Sequence, residues 1–92
     1  MKRNVLIVDD EAAFRGFMAE VLDNAGYGAI SASDCTEALA SARNGGVDVI
    51  ITGMVMPDMS GAELITRLRT GGSDAPIIAM TGLRKAMRIW PP

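Results

Sequence analysis

Val49-Ile50-Ile51-Thr52-Gly53-Met54-Val55-Met56-Pro57-Asp58-Met59-Ser60-Gly61 is the stretch on which the reading of the whole chain turns. Val49 to Thr52 is an unbroken β-branched run, as expected of a strand buried on both faces of a parallel sheet. It runs directly into a turn carrying Met56-Pro57 and Gly61, and the junction is Gly53, a residue permissive at a strand-to-loop boundary that leaves no side chain there. Ser60 with Glu63 three positions on is a capping box. It opens a helix that faces Leu64, Ile65 and Leu68 inward and stops at Gly71-Gly72.

The same alternation extends outward on both sides. Val5-Leu6-Ile7-Val8 is a second aliphatic run, read as a central strand, and it delivers Asp9 and Asp10 at its carboxyl end. Glu11 to Ala25 places Phe14, Met18, Val21, Leu22 and Ala25 at helical spacing, with Gly26 as the left-handed stop and the Asp9-Asp10-Glu11 carboxylates capping the helix start. Ala29 to Ala32 reads as a short edge strand. Asp34 and Glu37 cap a helix through Ala38, Leu39 and Ala42 to Asn44-Gly45-Gly46. Pro76 to Thr81 is the fourth strand, and the tail from Leu83 to Trp90 has helical spacing of Leu83, Met87 and Trp90 before Pro91-Pro92 stops it. Strands alternating with helices predict an α/β chain with a parallel sheet, in a single domain over residues 1–92.

Composition narrows the function classes. At 92 residues with 49% apolar and 22% charged side chains the chain is one small globular domain of marginal stability. The net charge of −2 gives no electrostatic case for nucleic acid, and Lys2-Arg3 and Arg84-Lys85-Arg88 read as solvated surface. No signal peptide or long apolar span is present, which makes a cytoplasmic location the expectation and leaves membranes out. Cys35, the only cysteine, is expected to be a small buried hydrophobe in a chain with no histidine to act as its base. The seven methionines read as core filling.

Taken in order, the acidic pair Asp9-Asp10 after the first strand, the Met-Pro-x-Met-x-Gly loop at Met56 to Gly61, and Thr81 at the end of the fourth strand resemble the receiver domain of bacterial response regulators, over Val5 to Thr81. The resemblance implies a doubly wound, flavodoxin-like parallel sheet of strand order 2-1-3-4, with the family's fifth strand and last helix missing from a chain that stops at Pro92. It implies that Asp9, Asp10 and the Val55 carbonyl are Mg2+ ligands, that Thr81 supplies the hydroxyl that contacts a phosphoryl group, and that position 53 is the phosphoacceptor. Gly53 stands where the family carries aspartate. The family's lysine has no counterpart, because Lys85 lies only four residues past Thr81. By analogy with other open α/β sheets, Asp9, Asp10, Gly53 and Thr81 should meet beyond the carboxyl ends of the strands.

Phosphoryl transfer from a phosphohistidine to an aspartate needs an in-line carboxylate, a divalent cation and donors for the developing charge. With glycine at 53 the expectation is a receiver-like module of a two-component phosphorelay that does not accept phosphate, is not an enzyme, and binds Mg2+ weakly. Losing a third carboxylate would also relieve repulsion between clustered charges. The alternatives are transfer to Asp10 or Asp58, each out of line, to the hydroxyls of Thr52 or Thr81, which lack a general base, or a remnant without selected activity. Without a fifth strand, Ile77, Ile78, Ala79 and Met80 become an apolar edge. That edge predicts self-association, and a histidine kinase or an intact receiver is the other expected partner; the tail from Leu83 to Trp90 is the candidate replacement cover.

Overall fold

The computed structural model describes residues 2–81 and 86–90. Eight elements follow in order: β1 (Asn4–Val8), α1 (Ala12–Asn24), β2 (Gly28–Ala32), α2 (Cys35–Arg43), β3 (Val49–Gly53), α3 (Gly61–Thr70), β4 (Ile77–Thr81) and β5 (Ala86–Trp90). The sheet runs β2-β1-β3-β4-β5, with β1 to β4 all parallel, so the 2-1-3-4 order inferred from the sequence stands.

The chain after β4 departs from expectation. Residues 86–90 are a strand antiparallel to β4, with Ile77 opposite Trp90 and Thr81 opposite Ala86, so the helical reading of Met87 and Trp90 is wrong; Leu83 lies outside the described residues. The connection explains the direction. Only residues 82–85 separate β4 from β5, and a parallel return needs a crossover of about a dozen residues or more, whereas a hairpin closes over four. The position beside β4 is therefore filled by a hairpin partner, and Ile77 to Met80 are not the free edge that the sequence suggested.

Two layers of side chains hold the helices to the sheet. On one face α2 and α3 contribute Cys35, Ala38, Leu64, Ile65 and Leu68 to a core with Leu6, Val8, Ile50, Ile77 and Ala79. On the other, Val5, Ile7, Ile51 and Met80 are covered by α1 through Phe14, Met18, Ala19 and Leu22. The second layer is thinner. No residue of α1 is buried, and Val21, expected to face inward, is 44% exposed, as Phe17 is at 63%.

The helix ends follow the sequence signals at the N-caps of α2 and α3 and at the stop of α1, but neither capping box closes. Asp34 accepts from the Glu37 N–H at 2.8 Å and Ser60 from the Glu63 N–H at 3.1 Å. Glu37 returns the contact to the Ser33 N–H rather than to Asp34, and Glu63 turns instead to Arg67 at 3.3 Å. Glu11, the residue before α1, caps nothing with its side chain. Gly26 (φ 92°) ends α1 in the left-handed region as predicted.

Candidate functional site

Register brings the predicted residues together. Val8 pairs with Thr52, and Gly53 with Met80, so the ends of β1, β3 and β4 place Asp9, Gly53 and the Thr81 backbone side by side; the Thr81 side chain lies outside the described part of the structure. Asp9 is buried. Its Oδ1 accepts from the Glu11 N–H at 2.8 Å, and its carbonyl accepts from Arg15 Nη1 at 2.7 Å. These bonds tie the first turn of α1 to the end of β1. Arg15 was not singled out in the sequence, and only its position one turn into α1 could have suggested that it reaches the acidic pair.

Asp9 Oδ2 is left facing position 53. A Cβ placed on Gly53 would lie 3.4 Å from Oδ2, 3.6 Å from Met56 Sδ and 4.0 Å from the Val8 carbonyl, which are ordinary contacts. Gly53 is not among the glycines of positive φ. Neither backbone nor space therefore calls for glycine there, and the conformational explanation offered by the sequence falls away. Gly61 is the opposite case: a Cβ there would meet the Gly53 carbonyl at 2.5 Å and Met54 Cα at 2.8 Å, while its N–H donates to the Met54 carbonyl at 2.8 Å. The loop is folded tightly onto itself at that point.

Of the other carboxylates, Asp10 is exposed beside the site, and Asp58 is turned away from it. Asp58 accepts from the Cys35 N–H (3.1 Å), the Thr36 N–H (3.0 Å) and the Thr36 hydroxyl (3.0 Å), capping α2 from the β3–α3 loop. Partial desolvation pushes its carboxyl upward, but these hydrogen bonds outweigh it and hold the pKa at about 2. Cys35 packs in the core as expected. Burial, reinforced by the nearby Asp58 charge, pushes its thiol up to about 12. Thr52 is buried and donates its hydroxyl to the Gly53 carbonyl at 2.9 Å. Val55, whose carbonyl was the third expected ligand, is 86% exposed. Among the described residues no three acidic, cysteine or histidine side chains form a metal-binding group.

The family model for the response regulator receiver domain matches residues 5–89. The chain belongs to this family. Among curated relatives, this receiver domain is 32% identical over 77 residues to the probable transcriptional regulatory protein TcrX of Mycobacterium tuberculosis, covering 84% of the chain and 33% of that protein. It spans about a third of the length of the curated relatives it matches. Among solved structures, a chemotaxis response regulator of Vibrio cholerae is 36% identical with a TM-score of 0.80, covering 86% of this chain and 68% of that one. A response regulator of Thermotoga maritima, solved in complex with Mg2+ and BeF, is 37% identical with a TM-score of 0.81, covering 88% and 70%. No helix of the described residues is long and apolar enough to cross a membrane.

Proposed function

We propose that this receiver domain is a binding module of a two-component system that does not accept a phosphoryl group and is not itself an enzyme. The observation that carries the reading is glycine at position 53, where an added Cβ would lie 3.4 Å from Asp9 Oδ2 and the backbone would accept a side chain. The nucleophile is absent while Asp9 and the loop around position 53 remain in place. Asp58 is a poor substitute, since its carboxylate is engaged by three donors at the start of α2.

Asp9, Asp10 and the Val55 carbonyl are the groups that would hold Mg2+, with water completing the shell. Two carboxylates give a weak site, filled at high Mg2+. The cation would supply charge neutralisation there, and Asp9, held by Glu11 and α1, would orient its free oxygen toward it.

The partner surface in this reading is α1. Phe17 and Val21 are one turn apart on a helix with no buried residue, a pattern suited to covering by another helix. We place self-association and contact with a kinase or an intact receiver on this face rather than on β4. The module would act by occupying a partner, not by carrying phosphate to it. Intact mass after incubation with acetyl phosphate and Mg2+ tests the first part: no adduct is expected, and a stoichiometric, base-labile acyl phosphate would overturn it. Light scattering behind size exclusion across a dilution series tests the second, and a monomer at every concentration would overturn self-association.

A further inference from the structure

A groove of about 720 Å3 lies between the C-terminal ends of α2 and α3, at the opposite end of α3 from Gly53. Its size is that of a small-molecule site. Leu39, Val47, Leu68 and Ala75 give it an apolar floor continuous with the core under α2 and α3. Arg43 and Arg67 line it as well. Arg67 is paired with Glu63, which is not part of the lining, whereas Arg43 makes no ion pair or hydrogen bond among the described residues. Asp74 is the one carboxylate of the lining, against two arginines of which Arg67 is already paired.

Two helix C-termini meeting at one groove would ordinarily favour a cation. Here several of those carbonyls, and two in the segment after α3, are answered internally. The Asn44 and Gly45 N–H groups donate to the Ala40 and Ala42 carbonyls, those of Gly71, Gly72 and Ser73 to Arg67, Arg69 and Leu68, and Arg69 Nη1 to the Ser73 and Ala75 carbonyls at 3.1 and 2.8 Å. Arg43 and Asp74 are the charged side chains of the lining without an ion pair among the described residues, and Arg43 is the one that can meet an anion.

We propose that this groove binds a small soluble amphipathic anion, an alkyl or aryl carboxylate whose apolar body rests on Leu39, Leu68 and Ala75 and whose head group meets Arg43. Binding there is independent of whether position 53 can accept phosphate, because the two sites share no residue. A carboxylate facing a fork of guanidinium donors gains charge-assisted hydrogen bonds that neither an alcohol nor an ammonium of equal length can make.

The test is an amide-shift titration of the 92-residue chain with octanoate, octanol and octylammonium in parallel. Octanoate is expected to shift the amides of residues 39–47 and 68–75 saturably, with octanol weaker and octylammonium weakest. Arg43→Gln, an exposed change that leaves the fold intact by its unaltered spectrum elsewhere, should weaken octanoate about tenfold and leave octanol unchanged. Equal binding of octanoate and octylammonium, shifts centred on Phe17 and Val21, no saturable shift, or an unaltered octanoate affinity in Arg43→Gln would each overturn the proposal.

Discussion

Gly53 and Asp9 face each other across the ends of β3 and β1, with a would-be Cβ on Gly53 only 3.4 Å from Asp9 Oδ2. Gly53→Asp should therefore fold, and it should restore a third acidic group to the site. In the absence of Mg2+ the variant is expected to be less stable by about 1 kcal/mol, because a carboxylate is added beside a buried one. Its Mg2+ affinity should rise on the order of tenfold. Urea unfolding with and without Mg2+ measures both, and a variant whose stability ignores the cation would show that the frame around position 53 is not a metal site.

Gly61 gives the opposite expectation for a smaller change. Its Cβ would collide with the Gly53 carbonyl and Met54 Cα, so Gly61→Ala should cost on the order of 2 kcal/mol through local overpacking. Gly16, with open space around a Cβ at mid-helix, is the control: Gly16→Ala should stabilise the chain by roughly 0.5 to 1 kcal/mol. Similar effects at the two positions would contradict the loop geometry.

The Asp58 latch should give the protein an acid-sensitive component of stability. The folded pKa of about 2 lies below the ordinary 3.8, so the contribution is complete above the ordinary value and is lost as pH falls from there through about 2. Asp58→Asn should be less stable than the parent at pH 7, and the two should converge as the pH approaches 2. Thermal unfolding across that range checks it; a constant difference would assign the loss to packing rather than to the carboxylate.

Cys35 should be inert in the folded protein. With its thiol buried and pushed up to about 12, iodoacetamide at pH 8 should label it only after unfolding. The raised value also means that the thiol's neutral form matches the fold below the ordinary pKa of 9.0, and that stability falls as pH climbs from there toward 12. Rapid labelling under native conditions would place Cys35 outside the core.

Phe17 and Val21 should matter for association and little for folding. Because both are exposed, Phe17→Ser with Val21→Ser is expected to change stability by no more than about 0.5 kcal/mol per site. If α1 is the self-association face, the double variant shifts the molar mass from dimer toward monomer in the dilution series. An oligomer untouched by both changes would move the interface elsewhere.

The sequence by itself determined the first four strands, the three helices and their order, because those are local patterns: unbroken aliphatic runs at Val5 to Val8 and Val49 to Thr52, capping residues at Asp34 and Ser60, and glycine stops at Gly26 and Gly72. It also placed Gly53 where an acidic side chain was expected. Three other matters were decided only by tertiary structure, since each depends on what lies opposite a residue in space. Met87 and Trp90 have helical spacing, yet the short connection from Thr81 returns them along β4 as a strand, where backbone pairing outweighs side-chain periodicity. Val21 fits the apolar stripe of α1 but is left 44% exposed. Asp58 reads as a loop carboxylate next to the site, and only the packing of α2 against the β3–α3 loop turns it away to cap Cys35 and Thr36.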